Sequence, residues 1–177
     1  MSHSALMCCC SNHLNHNKKM KRILLLIKDL FIRLDYLFAP VGGGGLLSGT
    51  SLSAHNYSPS TSVYGAEPEG AADAVFSFDS GIVQKAKFIN TIADGLLTTL
   101  SERTLGIIRS HVKAIYLAND EEIKFAMHLV LERMKIIIEP SSAVALAVVI
   151  KNKAVLAGKN VGIIISGGNV DLARLPF

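Results

Sequence analysis

The fold class this sequence predicts is α/β: an open, mostly parallel sheet with flanking helices. Three observations predict it. Short apolar runs alternate with helix-period segments from Asp35 onward. Two glycine-rich loops, at 42–45 and 167–168, each follow an apolar run, the place where such sheets carry ligand loops. The last run is continuously apolar at Val161 and Ile163–Ile165, as a strand buried on both faces tends to be.

Each element has its own signal. Tyr36–Val41 reads as a short strand and Leu46–His55 as a small-residue helix that can approach a sheet closely. Between them stand Gly42, Gly43, Gly44 and Gly45. A glycine run frees the backbone for φ values barred to other residues and clears side chains from its N–H groups. Placed before a helix N-terminus, it is an anion site. Ser62–Ala66 is a second strand, closed by Glu67-Pro68. Glu69–Phe78 begins helical and breaks near Gly81, and residues 81–100 read as a loop region around Asp94-Gly95. Leu105–Val112 is a short helix and Ala114–Leu117 a strand. Asn119 or Asp120 caps a helix running to Met134, with Glu121 and Glu122 in its first turn. Glu139-Pro140-Ser141-Ser142 opens a buried helix, Ala143 to about Leu156, with Gly158 as its C-terminal cap. Asn160–Ser166 is the final strand.

Composition narrows the function classes. The net charge of +4 sits in residues 1–33, where six basic side chains face only Asp29. The rest of the chain is close to neutral, so it lacks the basic footprint of a nucleic-acid binder. No apolar run approaches the roughly 20 residues of a membrane span. The three cysteines, Cys8, Cys9 and Cys10, are adjacent and match neither zinc spacing nor a C-x-x-C motif. A body without cysteine favours a reducing compartment, hence a cytoplasmic location. Residues 1–33 read as a segment unrelated to the fold or disordered, with a short helix over 20–34; organelle targeting is the alternative. Residues 34–177 form the α/β domain.

Seven ordered pieces then carry a resemblance: Pro40-Val41-Gly42-Gly43-Gly44-Gly45-Leu46, Ala66-Glu67-Pro68, Ala71-Ala72-Asp73, Ile92-Ala93-Asp94-Gly95, Glu132-Arg133-Met134-Lys135, Ile138-Glu139-Pro140-Ser141 and Ser166-Gly167-Gly168-Asn169-Val170-Asp171. Together they resemble the fold type II pyridoxal-phosphate enzymes, tryptophan-synthase-β-like, in the serine racemase and serine/threonine dehydratase (ammonia-lyase) family. The resemblance implies that Gly42–Gly45 and Leu46 hold the phosphate of pyridoxal 5'-phosphate. It implies that Gly95 brings its backbone near the pyridine ring and that Ser166 hydrogen-bonds the ring nitrogen. Glu67, Ala71 and Asp73 match a divalent-cation site for Mg²⁺ (or Ca²⁺ or Mn²⁺), built from hard oxygen ligands. Lys135 and Asn169 match positions that contact ATP as an effector, and Glu139 lies toward the cofactor. The implied substrates are serine or threonine, the implied assembly a homodimer.

One part of the pattern is missing. The family's Schiff-base lysine stands in a Ser-x-Lys-x-Arg-Gly context, and no lysine of this sequence has that setting. The expectation is therefore a fragment with no catalytic residue of its own, inactive alone and poorly soluble where the sheet edge is left open. The alternative is a non-catalytic remnant that binds a phosphate ligand or pairs with an intact paralogue.

Overall fold

The computed structural model describes the backbone of Ala5–Cys9 and residues 33–177. In chain order the elements are β1 (Ala5–Cys9), β2 (Tyr36–Pro40), α1 (Gly45–Tyr57), β3 (Ser62–Pro68), α2 (Asp73–Ser80), α3 (Glu102–His111), β4 (Val112–Ala118), α4 (Asp120–Met134), α5 (Pro140–Lys151) and β5 (Val161–Ile165). The sheet runs β1-β5-β2-β3-β4, and every pairing is parallel. The α/β class predicted from the sequence is the class observed.

Strand alternation sorts the core into two layers. Leu37, Ala39 and Val41 point to the face covered by α1, α2 and α3, where Leu47, Ala74, Leu105 and Ile108 pack. Phe38, Ala66, Ile163 and Ile165 face α4 and α5, against Ile123, Met127, Val144 and Val148. On this second face Phe38 stacks on Tyr64 at 5.1 Å and Tyr64 on Tyr116 at 5.8 Å. Burial, with neighbouring Tyr116 and Tyr36, raises the Tyr64 phenol above its ordinary range. β5 is buried at all five positions, as its unbroken apolar run predicts.

The element bounds differ from the sequence reading by a few residues in most elements, and in four places the difference has a local mark. α3 starts at Glu102, not Leu105, because Ser101 and Thr104 form a capping box. α5 ends at Lys151, well before Leu156: the Asn152 side chain takes the Val148 carbonyl at 2.8 Å. Gly158, expected as the helix cap, instead takes φ +77° at the end of a run of turns. β3 runs on through Pro68, which stands beside Ala118 of β4.

At the N-terminus, Ala5–Cys9 form a strand that pairs with β5 from Ala5↔Val161 to Cys9↔Ile165. Reading residues 1–33 as one tail overlooked that strand. The short helix over 20–34, the targeting alternative and Cys10 concern positions outside the described residues, except that Arg33 and Leu34, at the end of that expected helix, are not helical.

Candidate functional site

The carboxyl ends of β2 and β5 are neighbours, since Phe38 pairs with Ile163 and both strands point the same way. The loops after them therefore meet. After β2 comes the glycine run, with Gly44 at the N-cap of α1 in the left-handed region (φ +81°). A Cβ there would lie 2.6 Å from Leu100 Cδ2 and 2.8 Å from Thr104 Cβ, so both conformation and space require glycine. At Gly42 a Cβ would meet Thr98 Oγ1 at 3.0 Å and the Leu96 backbone at 3.1 Å. Gly45 has nothing within 4 Å.

α1 begins differently from the helices that are closed at their starts. α3 is capped by Ser101, and α4 by Asn119 with three acidic residues in its first turn. α1 has no side-chain cap and no acid in its first turn. Among the described residues the N–H groups of Gly42, Gly44, Gly45 and Leu46 meet no acceptor, whereas that of Gly43 donates to Thr98 Oγ1 at 2.8 Å. The result is a set of uncommitted donors at the positive end of a helix, beside the open space at Gly45.

Residues from three other segments complete the rim. Ser166, at the end of β5, lies 2.9 Å from the hydroxyl of Ser142 in α5. Ser142 is fully buried and also accepts from Gly167 N at 2.6 Å while lying 2.8 Å from Gly167 O. Gly95 N–H donates to Ser141 Oγ at 2.9 Å. Glu139 accepts from Asn169 N–H at 3.2 Å; burial foremost, then the charge of Asp94, raises its carboxyl above the ordinary range. Thus Gly95, Glu139 and Ser166 are brought together by the start of α5, and Gly42 and Gly43 touch the same 95–98 segment.

The carboxylate pair lies beside this rim. Glu67 is 1% exposed and Asp73 3%. Glu67 closes the N-terminus of α2, accepting from Ala74 N–H at 2.6 Å and Val75 N–H at 2.9 Å. Burial pushes its carboxyl up to about 8 and the nearby Asp73 adds to the rise, against the pull of those N–H groups. Burial also raises Asp73, opposed by its own N–H and by the Thr99 hydroxyl. Asp73 Oδ2 is buried without a hydrogen-bond partner. Ala71, buried in a short turn, stands between the two in sequence. No group of three or more His, Cys, Asp or Glu side chains suited to an ion occurs among the described residues.

Lys135 and Asn169 are not joined by any contact. Lys135 ends α4 in the left-handed region (φ 58°), and its Nζ donates to Glu132 O at 2.8 Å within its own helix. Asn169 lines a separate cavity with Asp94, Pro140 and Arg174. Sequence reasoning missed Thr98, Ser141 and Ser142 as supports. The pairing of Gly43 with Thr98 spans 55 positions, and no local pattern marks it.

Comparison with known proteins places this geometry. The family described as "Pyridoxal-phosphate dependent enzyme" matches residues 9–167. A beta-hydroxyaspartate dehydratase of Paracoccus denitrificans is 48% identical over 144 residues, covering 81% of this chain and 46% of that protein. A serine racemase of Dictyostelium discoideum is 53% identical over 146 residues, covering 80% of this chain and 45% of that one. The crystal structure of serine racemase from Dictyostelium discoideum superposes with a TM-score of 0.79 at 49% identity, over 88% of this chain and 50% of that one. The chain thus spans about half the length of the relatives it matches. The chain belongs to the pyridoxal-phosphate dependent enzyme family.

Proposed function

We propose that this chain supplies the phosphate-binding half of a lyase or isomerase acting on small hydroxy amino acids such as serine or threonine. One observation carries the reading: α1 presents unpaired N–H donors beside the glycine run, at the strand end next to Ser166. The cradle fits pyridoxal 5'-phosphate. Gly45 leaves open space, Gly42, Gly44, Gly45 and Leu46 offer donors, and the helix dipole favours the phosphate charge. Ser166 would meet the ring nitrogen with a neutral hydroxyl, which would not hold that nitrogen protonated as a carboxylate would. Ser142 fixes the Ser166 hydroxyl at 2.9 Å, and the Gly95 backbone would border the ring. When bound, pyridoxal phosphate supplies an electron sink at the substrate α-carbon.

Glu67 and Asp73, with the Ala71 carbonyl, suit a hard divalent cation such as Mg²⁺. Two buried carboxylates, with Asp73 adding to the rise at Glu67 and one Asp73 oxygen orphaned, are what such an ion relieves. Its role is to hold the loop at 96–100 against the glycine run, since Thr99 faces Asp73 and Thr98 holds Gly43. For Lys135 and Asn169 a nucleotide effector stays within this proposal, with residues from a second subunit completing the contact.

The test uses 4'-deoxypyridoxine 5'-phosphate, which lacks the aldehyde and binds without a lysine. Equilibrium dialysis with the 177-residue chain should show stoichiometric binding. Gly45→Asp should abolish it while preserving the fold, because an acid in the first turn suits the helix dipole. Equal binding by wild type and Gly45→Asp, or none by wild type, would overturn the reading.

A further inference from the structure

At the opposite end of the strands from the glycine run, α1 and α3 bring their C-termini together over a cavity of ≈ 150 Å³. It is lined by His55, His111, Ser51, Thr61, Ser62 and Lys113, among others. We infer that His55 and His111 chelate one divalent first-row transition ion here, with Zn²⁺ as the natural probe.

The ring geometry is the first support. The imidazole centroids are 4.8 Å apart, and the planes are tilted by 53°. This is neither a parallel stack nor an edge-to-face pair. With metal–nitrogen bonds of about 2.1 Å, a ligating ring's centre lies about 3.2 Å from its ion, so two rings in tetrahedral positions stand about 5 Å apart. The observed spacing already matches two ligands of one ion.

The second support is that the ring nitrogens are uncommitted. Among the described residues neither imidazole makes a hydrogen bond, and their one recorded contact is with each other. A ligating ring needs one free nitrogen, and each offers one. Ser62 makes no side-chain hydrogen bond and opens β3 at the cavity wall. A cavity of ≈ 150 Å³ also has room for the waters that would fill the remaining positions, at about 30 Å³ each.

The third support is electrostatic. His55 lies in the last turn of α1 and His111 is the last residue of α3, so two helix C-termini face the cavity. Their carbonyl ends favour positive charge. Lys113 is the opposing group, but it is exposed on a flexible stem. Arg109, also in the last turn of α3, turns away toward Gly81. Imidazole nitrogen selects zinc-like ions over Mg²⁺ or Ca²⁺, which prefer oxygen.

The experiment maps carbethoxylation of each histidine by mass spectrometry, with and without micromolar Zn²⁺. It uses the full chain with Cys8, Cys9 and Cys10 changed to Ser, so that thiolates do not compete. Zn²⁺ should slow modification of His55 and His111 together by at least about tenfold and leave His128 unchanged. His55→Ala, at an exposed position, should remove the protection of His111 as well. Co-dependence of the two rings is the signature of chelation. Protection of His111 that survives His55→Ala, or no protection at either ring, overturns the assignment.

Discussion

Gly44 and Gly45 are adjacent and are glycine for opposite reasons. Gly44 is needed by the fold: φ +81° and the crowding by Leu100 and Thr104 leave no room for a side chain. Gly44→Ala should destabilise the chain by about 2–4 kcal/mol in urea unfolding, from left-handed strain plus overpacking. Gly45 meets nothing, so Gly45→Ala should leave stability unchanged or raise it by up to about 0.5 kcal/mol. Glu67 sets a pH dependence. Its carboxyl is pushed up to about 8 in the folded chain, so the folded state holds that proton more tightly than the unfolded one. Stability should therefore fall as pH rises from about 4.5, the ordinary carboxyl value, toward 8, and level off above it; the loss is on the order of a few kcal/mol. Thermal melts in metal-free buffer check this, and Mg²⁺ should flatten the curve. A melting temperature that climbs over that interval without metal would contradict it. At this scale the meeting of Gly42–Gly45 and Ser166 at neighbouring strand ends was legible, since both follow apolar runs. The double duty of Glu67, as cap of α2 and member of the carboxylate pair, was not. Its partners, the N–H groups of Ala74 and Val75, carry no side-chain signature.

Among the helices, caps separate α3 and α4, which close their own N-termini, from α1, which has neither a side-chain cap nor an acid in its first turn. Asn119 accepts from Glu122 N–H at 2.9 Å and Glu122 returns the bond to Asn119 N–H at 2.9 Å. Asn119→Ala should cost about 1 kcal/mol, measurable by chemical denaturation. This cap was readable, because Asn followed by acids is a start signal. The other end of α4 was not. Lys135 holds φ 58°, a conformation that ordinarily falls to glycine. Lys135→Gly should stabilise the chain by about 0.5–1 kcal/mol, less the lost Nζ bond to Glu132 O. Nothing in the Met134-Lys135-Ile136 sequence marks that turn. The early stop of α5 has the same origin: a side chain, Asn152, competes for a backbone carbonyl, and helical periodicity is blind to that.

For the molecule as a whole, the class and most strands followed from apolar runs and glycine punctuation. The order of the strands in space did not, because parallel pairing is set by crossovers and leaves no local trace. β1 is the clearest case: its five residues pair with β5 across more than 150 positions of sequence. Removing residues 1–33 would bare that edge of β5, and the shortened chain should self-associate in size-exclusion chromatography where the full chain does so less. A monodisperse, cooperatively melting monomer of residues 34–177 would contradict this. The position of β5 has one more consequence. β5, the latest of the five strands in chain order, is seated between β1 and β2, and the Asn160 N–H and carbonyl are held by Asp35 and Tyr36 from the start of β2. During synthesis, β2 therefore waits with one edge bare until Val161–Ile165 have left the ribosome. Such late closure of distant contacts is slow, and a ribosome that stalls before Val161 releases a chain whose glycine run has formed beside an empty slot.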